Sequence, residues 1–393
     1  MSPRLTLKKG SERRQLLGHP WVYDGEIAHL EGSPNDGAVA DCYSHKGLFL
    51  GRGYFNSQSK IRLRILTRNP EEPVDDTLLR QRLTWALGRR QILYPTGTSL
   101  RLVHAEGDGL PGLTVDRYED VLVMQCSSLG MDQRQATLAM LLQELTGLQH
   151  IYVRNDLSTR QNDGLAPSKG CLGVPFPTTL QMVEHGLQFE VDVVEGHKTG
   201  FYLDQTDNHL LFRTLIPPGS AVLDAFCYSG AFAVHAAAVG ASTVLGLDTS
   251  AAALAIAQRN AARNGVSQIC HFAEANVFDR LHQLLASDQR FDVVVLDPPS
   301  FTHHRQSVAK ALSGYKEIHL RALKLLRPGG LLWTFTCSYY VDRVQFEGML
   351  QEAAGDARRQ LIIRQRLSQA AHHPEVLNIP ETGYLKGLVA EVW

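Results

Sequence analysis

Residues Ser220–Gly230 read SAVLDAFCYSG, and this stretch decides the fold of the surrounding chain. The apolar run Ala221–Leu223 predicts a buried strand that ends in an acid, Asp224. A turn with Gly230 follows, and AFAVHAAAVG predicts a helix that stops at Gly240. A strand, an acidic tip, a glycine turn and a helix are how an open α/β sheet builds a ligand site at the carboxyl end of a strand.

The chain after Gly186 alternates strands and helices. TVLGLD is a strand ending in Asp248, a helix is predicted from Ala251 to Asn264, and FDVVVLDPPSF and GGLLWTFTCS supply later strands. This alternation predicts a parallel, twisted sheet with ligands at the carboxyl ends of its strands, and GLVAEVW suits an antiparallel closing strand. The fold class is therefore α/β, with a Rossmann-like domain over residues 187–393.

Two smaller domains are predicted before it. Residues 1–70 form a β-rich module, in which KIRLRILTR places Lys60, Arg62 and Arg64 on one face of a strand and apolar side chains on the other. Residues 71–186 combine an amphipathic helix in DDTLLRQRLTWALGRRQIL with strands and a second helix, which predicts a small α+β domain. The chain is thus expected to hold three domains.

Composition limits the class of protein. The chain has 393 residues, of which 44% are hydrophobic and 20% charged, with no run long enough to span a membrane and no signal-peptide core in MSPRLTLKKGSERRQ. Its six cysteines form no Cys-x-x-Cys pair, which favours a reducing cytoplasm over a disulfide framework or a zinc site. The pairs His303/His304 and His372/His373 lack metal-ligand spacing, so no metal is expected.

The net charge of −1 conceals a basic N-terminal region. Residues 1–70 hold eleven Lys or Arg against six Asp or Glu, and no acid lies between Asp41 and Glu71. One interpretation is a polyanionic partner, RNA, bound through the basic face of the strand in KIRLRILTR. A solvated basic surface is nearly as well supported by charge alone.

The acidic strand ends select the cofactor. A dinucleotide site would show Gly-x-Gly-x-x-Gly, whereas this turn has one glycine, Gly230, and its strand ends in a carboxylate. A carboxylate repels phosphate but suits the ammonium and sulfonium groups of S-adenosylmethionine (SAM), so SAM is favoured over NAD and over a turn with incidental acids.

Other polar residues are expected to complete the cofactor site. Asp248 is placed to accept the ribose hydroxyl groups, Asn276 to bond the adenine amino group unless it lies in a solvated loop, and HKTGFYLDQ to lie over the pocket. The cofactor-binding candidates are Thr199, Gly200, Tyr202, Asp204, Asp224, Phe226, Tyr228, Gly230, Asp248, Asn276 and Asp297.

Two motifs predict the substrate end of the cleft. Asp297 ends a buried strand in FDVVVLDPPSF, and the two prolines after it hold a rigid turn that can grip a flat base. Among SAM-dependent enzymes, Asp-Pro-Pro here goes with nucleobase methylation. Cys337 in TFTCSYY follows the next strand. A thiolate added to C6 of a pyrimidine makes C5 nucleophilic, so a catalytic cysteine fits this place, as does a small structural one.

In order and spacing, the motifs HPWVYDGEI, GDGLPGLTVDRY, GHKTGFYLDQ, AFCYSGAF, FDVVVLDPPSF, TFTCS and YLKG resemble those of the RlmI-type large-subunit rRNA methyltransferases. The resemblance covers essentially the whole chain. It implies a PUA-like RNA-binding domain, a central α+β domain and a class I methyltransferase domain that makes 5-methylcytosine in 23S rRNA. It also implies Cys337 as the catalytic cysteine, with Asp224, Asp248, Asn276 and Asp297 at the SAM and base sites.

Three positions depart from the family pattern. Thr206 stands where Arg is common, Ser300 where Lys is usual, and Asn276 where Asp is common. Two alternatives stay open: methylation of another base or position, with Cys337 structural, and a non-catalytic assembly factor that binds SAM and RNA. Also open are the modified nucleotide, naked RNA or an assembling subunit as substrate, the group that removes the C5 proton, and the oligomeric state, a homodimer being one option.

Overall fold

The computed structural model describes residues 3–302 and 304–393, so that His303, from one of the two histidine pairs, lies outside the described residues. The described chain divides into two compact units whose segments alternate along the sequence. Unit 1 holds the residues through Met182 together with Val191–Leu203 and Ala371–Thr382. Unit 2 holds the segments Val183–Glu190, Asp204–Ala370 and Gly383–Trp393.

The N-terminal part of unit 1 is a six-stranded sheet with one short helix. Its elements are β1 (Arg4–Leu7), α1 (Arg13–Leu16), β2 (Trp21–Tyr23), β3 (Ile27–Glu31), β4 (Val39–Tyr43), β5 (Phe49–Phe55) and β6 (Ile61–Thr67). The strand order is β2-β6-β5-β4-β1-β3. In β6, Leu63 and Ile65 are buried in the core of this sheet while Arg62 and Arg64 are only partly covered, as the alternation predicts.

The remainder of unit 1 is built on a five-stranded sheet. Its elements are α2 (Asp76–Leu93), β7 (Ser99–His104), β8 (Leu113–Tyr118), β9 (Val121–Cys126), α3 (Leu129–Asp132), α4 (Gln135–Thr146), β10 (His150–Asn155) and β11 (Ser168–Leu172). The order is β11-β10-β9-β8-β7, and β9 in the centre is buried along its whole length. The Asp75 carboxylate caps α2 by accepting hydrogen bonds from the amides of Thr77 and Leu78.

A two-stranded hairpin of β12 (Thr179–Glu184) and β13 (Leu187–Asp192) has residues in both units, and the segment Val183–Glu190 belongs to unit 2. Its further elements are α5 (Thr206–Leu215), β14 (Ala221–Ala225), α6 (Ala231–Ala238), β15 (Thr243–Asp248), α7 (Ala251–Arg263), β16 (Cys270–Glu274), α8 (Val277–Ala286), β17 (Phe291–Leu296), α9 (Val308–Leu325), β18 (Leu326–Thr336), α10 (Arg343–Ala357), β19 (Leu361–Leu367) and β20 (Lys386–Val392). They form a seven-stranded sheet in the order β16-β15-β14-β17-β18-β20-β19.

The sheet of unit 2 confirms the predicted α/β fold. The strands from β14 to β18 are parallel, and β20 is antiparallel to both β18 and β19. β14 and β17 carry fully buried apolar runs, as expected of the central strands of a parallel sheet. Because β15 and β17 flank β14 on opposite sides, the strand order reverses there, which opens a crevice at the carboxyl ends of β14 and β17.

The predicted domain boundaries fall in connecting segments. Residue 70 lies between β6 and α2, and residue 186 lies in the turn of the β12–β13 hairpin. Unit 1 contains the first smaller domain and the second as far as Met182, while residues 183–186 lie in unit 2. Unit 1 also contains residues 191–203 and 371–382, which the sequence pattern assigned to the third domain. The three-domain division stays a prediction. Among the described residues, no helix is both long and apolar enough to cross a membrane.

Candidate active site

Three acids predicted at strand ends lie along one edge of the sheet in unit 2. Asp224 in β14 is paired in register with Gly246 of β15 and Val295 of β17. Asp248 and Asp297 each lie two residues beyond those partners, so all three carboxyl groups are brought to the carboxyl edge of adjacent strands. The order of the strands, which the sequence did not give, is what makes these acids neighbours.

Asp224 is the most deeply buried of the three acids. Asp224 is 1% exposed, and its Oδ2 accepts a hydrogen bond of 3.0 Å from the Ala233 amide at the start of α6. Burial, with a smaller contribution from the charges of Asp297 and Asp248, raises the pKa of Asp224 to about 8, although the hydrogen bond from the Ala233 amide lowers it. A bound cation would compensate the buried charge, so the ammonium and sulfonium groups of SAM fit this carboxylate.

The turn after β14 has an unusual backbone. Phe226 and Tyr228 have φ angles of 69° and 48°, and Gly230 has a φ of 78°. Non-glycine residues in the left-handed region cost free energy and concentrate at ligand sites. The Tyr228 amide donates to Asp248 Oδ2 at 2.9 Å, which ties the turn to the next strand. Ser229 Oγ is buried without a hydrogen-bond partner among the described residues, a donor that a ligand can satisfy.

Asp248 and Asn276 anchor the next two connections. The Asp248 carboxylate accepts from the amides of Tyr228 and Ser250, both at 2.9 Å, while Ser250 caps α7 as predicted. Asn276 is exposed, and its Oδ1 accepts from the Phe278 amide at 2.9 Å as the N-cap of α8. Both residues therefore lie at the carboxyl edge of the sheet, where the ribose and adenine contacts were predicted.

Two hydrogen bonds in series hold the carboxylate of Asp297 in place. Gln205 Nε2 donates to Asp297 Oδ2 at 2.9 Å, and Asn208 Nδ2 donates to Gln205 Oε1 at 2.6 Å. Next to Gln205 in the chain, Asp204 accepts a hydrogen bond of 2.7 Å from the Tyr384 hydroxyl. Gln205 and Asn208 were not predicted as site residues, although Gln205 ends the HKTGFYLDQ motif, which was the available signal.

Thr199, Gly200 and Tyr202 lie in unit 1, whereas the other cofactor-binding candidates lie in unit 2. The Thr199 hydroxyl donates to Asp116 Oδ2 at 2.6 Å and lies 2.8 Å from the Tyr118 hydroxyl. Gly200 has a φ of 134°, and a Cβ there would lie 2.5 Å from Val191 Cγ1. These contacts give Thr199 and Gly200 structural roles within unit 1, and their cofactor role stays a prediction.

Cys337 is half-buried in the turn after β18. Behind it, the Ser338 hydroxyl lies 2.9 Å from the Tyr315 hydroxyl and 3.0 Å from that of Ser300, and Lys386 Nζ donates to the Ser338 carbonyl at 3.0 Å. These contacts fix the residue next to Cys337. Tyr315 and Lys386 were not predicted as site residues, although Lys386 is the lysine of the YLKG motif.

The other cysteines are poorer nucleophile candidates. Burial raises the thiol pKa of Cys42, Cys126 and Cys270 to about 12 in each case. Burial and the neighbouring Asp224 hold the thiol pKa of Cys227 well above its ordinary value. Because the thiolate is the reactive form, these four residues are inert packing groups. Cys171, in unit 1, shares with Cys337 a partly exposed position.

Glu184, His209 and His235 offer ligand atoms within 4.8 Å of one another, although they lie far apart in the sequence and form no motif there. Glu184 Oε2 lies 2.8 Å from His209 Nδ1 and 2.9 Å from His235 Nε2, and Thr206 Oγ1 donates to Glu184 Oε1 at 2.9 Å. Tetrahedral zinc would hold its donor atoms about 3.4 Å apart. The shorter distances are those of a buried carboxylate that accepts hydrogen bonds from two imidazoles.

The three RNA-binding candidates differ in what they contact. Arg64 NH2 pairs with Asp163 at 2.9 Å, and their side chains are 13% and 5% exposed. Arg62 Nε pairs with Asp24 at 2.7 Å, and Lys60 is exposed. Arg64 therefore neutralises a buried carboxylate inside unit 1, which leaves Lys60 as the most accessible cation of the strand face.

Two family descriptions match the chain. Residues 5–68 match a PUA-like domain, and residues 111–389 match the S-adenosylmethionine-dependent methyltransferases. Among solved structures, a protein from Streptococcus mutans described as a SAM-dependent methyltransferase aligns over both whole chains with a TM-score of 0.84 and 20% identity. A methyltransferase in complex with SAH aligns equally completely, with a TM-score of 0.86 and 20% identity. At this identity the two structures establish the fold.

Sequence relatives are closer. The ribosomal RNA large subunit methyltransferase I of Shewanella denitrificans is 41% identical, and that of Pseudoalteromonas atlantica is 39% identical, each over the full length of both chains. With the methyltransferase match and the SAH-bound neighbour, they establish SAM as the cofactor of this protein, and its place at the acidic strand edge stays a prediction. The chain therefore belongs to the family of S-adenosylmethionine-dependent methyltransferases that includes the ribosomal RNA large subunit methyltransferase I proteins.

Proposed function

We propose that the protein methylates C5 of a cytidine in 23S rRNA, with Cys337 as a covalent nucleophile. The names of its full-length relatives support large-subunit rRNA as the substrate, and the PUA-like domain supports RNA binding. SAM, when bound, supplies an electrophilic methyl group. The choice of C5 and of covalent catalysis is supported by the chain's own residues.

The position of Cys337 carries this proposal. β17 and β18 are parallel neighbours in which Leu296 is paired with Thr334, so Asp297 and Cys337 follow adjacent strands at the same edge. Among the described residues of unit 2, Cys337 is also the one cysteine that is not buried. Addition to a pyrimidine requires a thiol as nucleophile and a group that forms a hydrogen bond to a ring nitrogen, and Cys337 and Asp297 offer these two groups at the ends of neighbouring strands.

The proposed reaction has three steps. The Cys337 thiolate adds to C6 of cytosine, and the π electrons of the C5–C6 bond move so that C5 becomes nucleophilic, while Asp297 stabilises the adduct by hydrogen bonding to the ring. C5 would then form a bond to the methyl group while the bond from that methyl group to the sulfonium sulfur breaks, and S-adenosylhomocysteine would leave with the electron pair. Loss of the C5 proton to a base breaks the C6–sulfur bond and returns the thiolate. Gln205 acts as a positioning residue through its hydrogen bond to Asp297.

The test is methyl transfer to unmodified 23S rRNA by the Cys337→Ala variant. We expect its rate to fall by about a thousandfold or more, because the nucleophile is lost. Cys171→Ala, the matched variant at the other partly exposed cysteine, should retain the activity of the parent. With RNA that contains 5-fluorocytidine, the parent should give a covalent complex, and Cys337→Ala should give none.

Other outcomes identify the rival functions. Full activity of Cys337→Ala would sink the covalent mechanism and favour methylation of another base or position. Tight rRNA binding by the parent without any methyl incorporation would leave a non-catalytic assembly factor. The position of the methyl group, read by mass spectrometry of the digested product, decides between C5 and a nitrogen.

A further inference from the structure

Two tyrosines form the tip of the turn that directly follows Cys337 and Ser338. Tyr339 is 54% exposed and Tyr340 is 40% exposed, and their rings meet edge to face with centroids 5.1 Å apart. The Val341 amide donates to the Ser338 carbonyl at 3.2 Å, so the tyrosines are the two central residues of a β-turn. Turn tips favour Gly, Pro, Asn, Asp and Ser, and two aromatic rings there leave apolar surface in water.

Buried residues on both sides fix this turn. Ser338 and Val341 are both 0% exposed. The Ser338 hydroxyl lies 2.9 Å from the Tyr315 hydroxyl, and the Ser338 carbonyl accepts from Lys386 Nζ at 3.0 Å. Beyond Val341, Asp342 begins α10 with a capping box. Because the backbone is held at both ends, a ligand that binds the two rings has little ordering entropy to overcome.

We propose that Tyr339 and Tyr340 form a stacking platform for an unpaired RNA nucleotide beside the target base. The inference rests on the proposed function, since it takes Cys337 as the group that attacks this base. A base that reacts at C6 must leave its stack, and the adjacent nucleotide then loses a stacking partner. Aromatic side chains replace such partners in proteins that bind single-stranded RNA.

The charges around the turn fit the same partner. The Lys386 ammonium is held against the carbonyl of Ser338, the residue before Tyr339, where a nearby phosphate would be attracted. The acid of this segment, Asp342, is directed to the helix start, where its Oδ1 accepts from the Gln345 amide at 2.8 Å. An exposed aromatic pair with a cation beside it favours a nucleotide over an acidic or purely apolar ligand.

The test measures the affinity for 23S rRNA, transcribed in vitro and therefore unmodified, in the full chain carrying Cys337→Ala. Adding Tyr339→Ala and Tyr340→Ala together should weaken binding about tenfold, the effect of losing one base–aromatic stack. Tyr339→Phe with Tyr340→Phe keeps both rings and should keep the affinity. Val344→Ala, at a side chain that is 82% exposed in α10, is the matched control and should also bind normally.

Two results overturn the platform. One is equal RNA affinity of the double alanine variant and its Cys337→Ala parent. The other is a parallel loss of SAM affinity in the double alanine variant, which would mean that the turn had collapsed. The binding assay involves no chemistry, so it is independent of the proposed reaction. If Cys337→Ala proves active, the covalent mechanism is wrong. The RNA affinities of the tyrosine variants still decide whether the platform exists.

Discussion

Asp224 carries an ionisable group in a place where the ligand-free protein disfavours its charge. Burial raises the pKa of this carboxyl group to about 8, so at neutral pH it is mostly protonated before the cofactor binds. A cationic cofactor binds best to the ionised form. Binding of SAM should therefore be accompanied by release of a proton from Asp224.

We expect the Kd for SAM to decrease as the pH rises from 6 to 7.5, by up to about tenfold per pH unit. Above this range the amino group of SAM itself begins to lose its proton. Titration calorimetry in buffers of different ionisation enthalpy measures both the Kd and the proton released. Asp224→Asn, which cannot ionise, should bind SAM weakly with a flat pH dependence, and a flat dependence in the parent would contradict the coupling.

Single residues also show where the sequence was insufficient. The place of Asp224, Asp248 and Asp297 at the carboxyl edge of the sheet could be predicted because each acid ends an apolar strand, and their binding roles stay predictions. The hydrogen bond from Gln205 to Asp297 could not, because it joins residues far apart in the chain and depends on the strand order. Arg64 was predicted to lie on the basic face of its strand, but its ion pair with the buried Asp163 was not predicted.

At the scale of elements, a buried polar network joins β12, α5 and α6. Glu184 ends β12, and it accepts hydrogen bonds from His209 in α5 and His235 in α6. Burial lowers the pKa of His235 to about 4 despite its bond to Glu184. Burial alone would raise the pKa of Glu184, but His209 and His235 hold it well below its ordinary value. Near neutral pH this network thus combines an ionised carboxylate with a neutral His235.

This network should make unit 2 sensitive to acid. Between pH 6.5 and 4 the unfolded chain protonates His235 while the folded chain does not, so the free energy of unfolding falls as the pH falls. Between pH 7 and 5 this one histidine should account for about 2 kcal/mol. The measurement is unfolding by urea at both pH values. From the higher to the lower pH, the free energy of unfolding of His235→Gln should fall by that much less than the free energy of unfolding of the parent.

The matched control for this measurement is His282→Gln in α8, where the histidine is exposed. This substitution should leave the pH dependence of unfolding as it is in the parent. An equal pH dependence for the parent and His235→Gln would show that His235 titrates normally in the folded protein. The comparison across pH removes any constant effect of the substitution on stability.

The elements themselves were largely predictable. The helix α7 begins after the Ser250 cap and ends before Gly265, as the sequence signals indicate, and β20 pairs antiparallel with β18 as its place after the last helix suggests. The φ angles of Phe226 and Tyr228 were not predictable, because neither residue type favours the left-handed region. Local signals therefore gave the regular elements and missed the strained turn.

Across the whole molecule, a net charge of −1 accompanies a basic N-terminal region of which Lys60 is an exposed member. We expect Lys60→Ala to weaken binding to 23S rRNA and to reduce the slope of log Kd against log salt concentration by about 0.7–0.9, the loss of one phosphate contact. An unchanged slope would remove Lys60 from the RNA interface.

Arg64→Ala is the informative comparison for Lys60→Ala. It leaves the buried carboxylate of Asp163 without its guanidinium partner, so the free energy of unfolding should fall by about 3–5 kcal/mol. Lys60→Ala should leave the unfolding transition in place. Together the two variants would distinguish the proposed role of Lys60 in RNA binding from the role of Arg64 in the stability of unit 1.

The position of β20 between β18 and β19 bears on how the protein is made. On the ribosome, β18 and β19 are synthesised before β20. The backbone groups of both strands that pair with β20 therefore stay unpaired until β20 has been synthesised. Unit 1 is also incomplete until late in synthesis, because its Ala371–Thr382 segment is translated after most of unit 2. The nascent chain therefore cannot complete unit 1 before it starts unit 2, and its open strand edges need protection from aggregation, such as a chaperone gives, until β20 has been synthesised.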